Sequence, residues 1–202
     1  WERGIALYYA GEFKRGAKQF ELYQTFHDND VENSVWRFLC MARYEGAKKA
    51  RQVMLPIKND RRVPMMQVFE MYRGTIEPAD VLMAVHADKP SGDVLAGRLF
   101  YAHLYLGLYY EALGKNKEAE KYIRLAAQDK LKTSPRINTY MWDVARIHLA
   151  QFEKTRQRVA SLSASILERL IGTHQTTTRC FSNARTGTQR YGVCKWPGGF
   201  VP

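Results

Sequence analysis

Apolar positions recur every three to four residues along most of this chain, and nowhere do they alternate with period two for long enough to argue a sheet. Residues 99–128 show the pattern best. Their first half sets Phe100, Leu104, Leu106, Leu108 and Leu113 among further aromatics, apolar on every side as a buried helix is. Their second half is charged except at Ala119, Tyr122, Ile123 and Ala126, which share one helical face. Gly114 separates the halves, so the stretch predicts a buried helix, a tight turn and an amphipathic helix.

The same unit opens the chain. Gly4 and Gly11 are spaced like Gly107 and Gly114, and superposing the two pairs also aligns Gly16 with Ala119 and Phe20 with Ile123. Small residues let two helices approach closely, and the second glycine supplies the left-handed backbone that ends the first helix. Phe20 and Ile123 then fill the space between the helices.

Between and after these units the pattern predicts more helices. Asp30, Asn33 or Ser34 caps a helix through Val35, Trp36, Phe38, Leu39, Cys40, Ala42 and Tyr44, which Gly46 breaks before a compact helix over 47–55. Residues 56–64 connect, with prolines at both edges. Two short helices follow over 65–74 and 78–87, with Pro78 in the first turn of the second. A loop over 88–92 precedes the strong unit, and 132–137 forms a connection after it. Asn138 caps a closing helix over 139–152 that buries Tyr140, Trp142 or Val144, Ile147 and Leu149. Residues 1–153 are therefore expected to be all-α, with about four helix pairs plus a closing helix. Residues 154–202 are rich in Ser, Thr and Gly, with helical periodicity only over 159–171, through Leu162, Ile166, Leu167 and Leu170, and an irregular run beyond Gly172. Three readings of this extension stand side by side: a flexible basic tail, a segment ordered only against a larger partner, or an extension foreign to the usual protein.

The spacing of Gly4, Gly11, Gly16 and Phe20, repeated at Gly107, Gly114, Ala119 and Ile123, resembles the tetratricopeptide repeat (TPR), a helix–turn–helix of about 34 residues. The proline that usually closes such a repeat is replaced by Asp28 and Leu131. Trp36 and Leu39 match large first-helix positions of the family. The phrases DVENSVWRFLC, RVPMMQVFEMYRG and LFYAHLYLGLYYEALG look most like compact single-domain TPR proteins, among them NlpI-like bacterial lipoproteins and plastid proteins of plants and algae. The resemblance covers roughly residues 1–150. It implies an α-α superhelix, a non-catalytic protein-binding scaffold, assembly adaptor or structural subunit in a larger complex, and a plastid (chloroplast) location. The groove-lining positions of the family fall on Tyr8, Arg37, Met41, Tyr44, Leu104, Leu108 and Glu111.

Charge changes this picture little. The net charge of +11 invites a nucleic-acid reading, but eight Lys or Arg face a single acid, Glu168, from Lys154 onward. That extension carries +7 and the first 153 residues only +4, which weakens any basic-groove argument. The basic clusters Lys48, Lys49, Arg51 and Lys58, Arg61, Arg62 read first as solvated faces, the second also as a loop able to touch RNA, acidic lipid or an acidic protein. Association of the extension with RNA or an anionic membrane surface is the alternative function. No apolar run reaches the roughly 18 residues of a membrane span.

Candidate chemistry is sparse. His27, His86, His103, His148 and His174 lack metal-ligand spacing, and Cys40, Cys180 and Cys194 contain no Cys-x-x-Cys. Cys40 reads as a buried thiol; a Cys180–Cys194 disulfide suits only an oxidising compartment. His103 lies on the buried-looking helix, where it needs a hydrogen-bond partner. No nucleophile elbow, phosphate loop or dinucleotide fingerprint occurs. The expectation is therefore no enzyme, no catalytic or metal residues and no cofactor.

Overall fold

The computed structural model describes the backbone of residues 1–182 and the side chains of residues 1–169. The chain divides into two units, Trp1–Glu153 and Lys154–Pro202. The regular elements among the described residues are all helices, with no strand: α1 (Glu2–Tyr9), α2 (Phe13–Gln24), α3 (Val31–Glu45), α4 (Ala47–Gln52), α5 (Met65–Arg73), α6 (Pro78–His86), α7 (Gly92–Ala112), α8 (Asn116–Ala126) and α9 (Thr139–Ser182), with a 3₁₀ turn at Asp129–Leu131. The protein is all-α, and α1 through α8 pack as successive helix pairs.

The two best-matched pairs repeat bond for bond. After α1, Gly11 has φ +78° and the Glu12 amide donates to Leu7 O at 2.9 Å. After α7, Gly114 has φ +74° and the Lys115 amide donates to Tyr110 O at 2.9 Å. This reach back across five residues, with a left-handed glycine inside it, satisfies carbonyls that the helix end leaves open. The second helix of each pair then crosses the first where a glycine admits it. A Cβ on Gly4 would lie 2.5 Å from Phe20 Cζ, and one on Gly107 would lie 2.6 Å from Ile123 Cγ1. Phe20 and Ile123 are both fully buried.

Helices α3 and α7 sit at the centre. The former packs on α1, α2, α4, α5 and α7, the latter on α3, α5, α6 and α8. Asp30 caps α3, its Oδ1 accepting from the Glu32 amide at 3.1 Å. The other two capping candidates are buried inside α3 instead. Asn33 donates to Phe20 O at 3.0 Å, and Ser34 donates to Leu55 O at 2.8 Å, pinning α3 to the chain on either side. Tyr72 of α5 donates to Tyr105 O of α7 at 2.9 Å, and the Tyr105 hydroxyl in turn reaches Glu32 at 2.5 Å. Helix α6 starts with Pro78 at its first position, and Asp80 Oδ2 accepts from the Glu77 amide at 2.8 Å.

Helix α9 departs from expectation in two ways. Asn138 caps it as foreseen, its Oδ1 accepting from the Tyr140 and Met141 amides at 2.9 and 3.4 Å. Its buried face, however, runs through Met141, Trp142, Val144, Ala145 and His148, while Ile147 is 43 % exposed. The polar histidine takes the inward position because Tyr9 and Glu111 meet its ring there. Second, the helix continues through residue 172 to Ser182, so the irregular run expected there is corrected over those positions. No proline interrupts this stretch, and two of its serines bond along the helix: Ser161 Oγ donates to Arg158 O and Ser163 Oγ to Val159 O, both at 2.9 Å. The Cys180–Cys194 pairing and the late glycines lie outside the described side chains. Among the described residues, no helix is long and apolar enough to cross a membrane.

Candidate functional site

The seven residues proposed to line a groove divide by accessibility. Leu104 and Leu108 are fully buried in the core, and Met41 is nearly so, because α7 and α3 are packed on several sides at once. Arg37 is also buried. It donates to Glu21 and to Val53 O, tying α2 and the end of α4 to α3. These four hold the fold together and offer a partner no surface. Tyr8 is as deeply buried, at 5 % exposed, but its ring lines a cleft, and the half-buried Tyr44 and Glu111 lie beside that cleft.

That cleft, about 160 Å³, is lined by Tyr8, Tyr9, Gly11, Phe13, Arg43 and Gln151. It forms where the C-terminal ends of α1 and α3, the start of α2 and a turn of α9 converge. Tyr8 stands edge-on to Phe13 and Trp36 at 5.5 and 5.4 Å between ring centres. The Arg43 guanidinium lies over the Phe13 ring at 5.2 Å and the Tyr8 ring at 5.9 Å. Arg43 Nη1 also approaches Glu111 Oε1 at 3.5 Å. The neighbouring Tyr44 is half-buried, with Lys14 Nζ 5.8 Å from its ring centre. The lip of the cleft thus sets the half-buried Phe13 ring and the buried Tyr8 ring against an arginine whose side chain remains 45 % exposed.

Behind this lip lies a buried polar chain. Tyr9 OH is 3.0 Å from His148 Nδ1, and His148 Nε2 is 3.2 Å from Glu111 Oε2. The second contact is close but misses the direction of a ring N–H bond, so it is a polar contact and not an aligned hydrogen bond. A carboxylate at the Nε2 end favours a proton there, which leaves Nδ1 to accept from Tyr9. Burial pushes the Glu111 carboxyl upward, but its contacts with His148, Arg43 and Tyr8 outweigh it and hold the group below the usual carboxylate range. Burial and the Glu111 charge push the Tyr8 hydroxyl well up, so it stays protonated and donates. His148 is 1 % exposed. Its role is therefore to brace Glu111 and Tyr9 from within, since a substrate has no direct route to its ring.

The other candidates are absorbed by structure. Arg62 joins Asp30 at 2.9 Å, Glu32 at 2.5 Å and Asp60 at 2.6 Å. It is committed to this clamp, whereas Lys58 and Arg61 remain exposed. Arg51 donates to Tyr72 O at 2.9 Å and to Tyr109 OH at 3.2 Å, so it belongs to the α4–α5–α7 junction and not to a solvated face. His103 is half-buried beside Tyr122, at 5.9 Å between rings, on the wall of a cavity of about 230 Å³. Burial and the nearby Lys121 lower its pKa to about 4. Burial raises the Cys40 thiol to about 12, as suits an inert core cysteine. Among the described residues, no group of three or more His, Cys, Asp or Glu is placed to hold a metal ion.

Sequence reasoning missed Tyr9, Phe13, Arg43, Gln151 and His148. A signal existed for His148: it continues the series Met141, Ala145, His148, Phe152 at helical spacing, so it falls on the inward face. Arg43 gave none, because a cation in the last turn of α3 reads as an ordinary helix end. No protein-family model matches the chain.

Proposed function

We propose that this chain is a non-catalytic helical-repeat scaffold of the TPR kind, which binds a partner protein segment at the Tyr8–Phe13–Arg43 cleft inside a larger assembly. The observation that carries the reading is the lip itself. Arg43 is spread over two aromatic rings, oriented by Glu111, and still open to solvent. Aromatic rings and arginine give large contact area with little ordering cost, which is why they dominate protein-binding hot spots. The repetition of the α1–α2 turn and crossing at α7–α8 supports the repeat family. The enclosure of His148 supports a bracing role in place of an acid–base one.

The test is affinity capture with the full chain against extract of its source cells, comparing wild type with Phe13→Ala/Arg43→Ala and with the remote surface control Lys58→Ala. A partner that is retained by wild type and control but lost with the cleft variant supports the reading. Equal capture by all three, with unchanged helical signal, contradicts it. The plastid location implied by the resemblance belongs to the same proposal, and imaging of the full gene product carrying a fluorescent tag tests it.

A further inference from the structure

Within the second unit, residues 154–169 of α9 carry a stripe of exposed apolar side chains. Val159, Leu162, Ile166 and Leu167 are 58, 63, 57 and 58 % exposed. Val159, Leu162 and Ile166 follow each other at three- and four-residue spacing, and Leu167 widens the same face. Lys154, Arg156, Arg158 and Arg169 accompany the stripe against one acid, Glu168. Ser161 and Ser163 turn their hydroxyls onto the helix backbone, which keeps the remaining surface weakly polar.

Magnitude decides what covers such a stripe. Four side chains of this kind bury roughly 400 Å² at most, about half of what each partner contributes to a stable protein interface. A second copy would also bring an equal positive charge against this one. An anionic bilayer surface removes both objections: it takes apolar side chains one by one, and each Lys or Arg near it adds attraction. We infer that residues 154–169 form an amphipathic helix that lies on anionic phospholipid, a membrane-surface contact distinct from the cleft of the first unit.

The test is sedimentation of the full chain with phosphatidylcholine vesicles, with and without phosphatidylserine. Binding is expected only with phosphatidylserine, and it is expected to collapse as salt rises from about 0.1 M to about 1 M and the screening length falls from about 10 to about 3 Å. Leu162→Gln/Ile166→Gln is expected to weaken binding at least tenfold. Lys154→Gln and Arg158→Gln are expected to weaken it roughly fivefold each. All four positions lie outside the first unit, and an unchanged thermal midpoint checks that the fold survives. Failure of the folded chain to bind phosphatidylserine vesicles overturns the inference. So does binding that Leu162→Gln/Ile166→Gln leaves intact, or a self-association or acidic-protein contact that depends on these leucine and isoleucine side chains while vesicles are ignored.

Discussion

Gly107 and Ile123 meet so closely across the α7–α8 crossing that a Cβ on the glycine would lie 2.6 Å from Ile123 Cγ1 and 3.0 Å from the Ile123 backbone nitrogen. Gly4 and Phe20 make the same contact across α1–α2, at 2.5 Å from the ring. In an open helix, replacing glycine by alanine stabilises by about 0.5–1 kcal/mol. Here the sign reverses. Gly107→Ala is expected to destabilise by about 1–3 kcal/mol through overpacking, and Ile123→Ala by about 2–5 kcal/mol through a cavity. The double variant is expected to cost clearly less than the two together, because the new methyl occupies space that Ile123 has left. Urea unfolding of the four proteins in the cycle measures this, and strict additivity would remove the close contact as the cause.

Arg62 is expected to be worth more than its half-exposed position suggests. Asp60 is nearly buried, and Arg62 bonds both its carboxylate oxygens as well as Asp30 and Glu32. Arg62→Ala leaves the Asp60 carboxylate the backbone amides of residues 31 and 62 but no guanidinium, at about 1–3 kcal/mol, with solvent at the exposed guanidinium moderating the loss. Arg62→Lys should recover little, since a point charge does not replace a planar fork that serves three carboxylates. A lysine variant as stable as wild type in urea unfolding would show that the fork geometry is unimportant.

Acid sensitivity has a predictable shape. His103 has a folded pKa lowered to about 4, so between its ordinary value of 6.5 and about 4 the unfolded chain takes up a proton that the folded chain refuses. Stability therefore falls as pH drops through that window. His103→Gln removes this contribution, and the thermal midpoint is expected to become flatter between pH 6 and about 4.5. Glu111 acts lower. Its folded pKa lies below its unfolded value, so its stabilisation is present above the ordinary carboxylate range and is lost as pH falls through the folded pKa. Glu111→Gln should lower stability at neutral pH and reduce the loss seen in strong acid. A midpoint profile indifferent to both substitutions would contradict these assignments.

Much of the fold was legible in the sequence because the strongest signals are local. Gly11 and Gly114 mark turns whatever surrounds them, Pro78 and Asn138 mark helix starts, and the face of Ala119, Ile123 and Ala126 follows from spacing alone. The site was less legible because accessibility is a tertiary property. Leu104, Leu108 and Met41 occupy positions that line an open groove in an extended array, yet α3 and α7 here are enclosed by several neighbours and bury them. Tyr8, singled out by its place in the repeat, lines the cleft, and Glu111 touches Arg43 beside it. The partners of His148, Tyr9 and Glu111, lie 139 and 37 positions away, where no local pattern points.

The affinity of the captured partner tests the cleft as a binding site more directly than capture itself. Once the partner segment is mapped, calorimetric titration of wild type, Arg43→Ala and Tyr44→Ala measures it. Arg43→Ala is expected to weaken binding by about tenfold or more, as loss of an interface hot spot does, while the thermal midpoint stays near that of wild type. Unchanged affinity in a folded Arg43→Ala protein would contradict the cleft as the binding site.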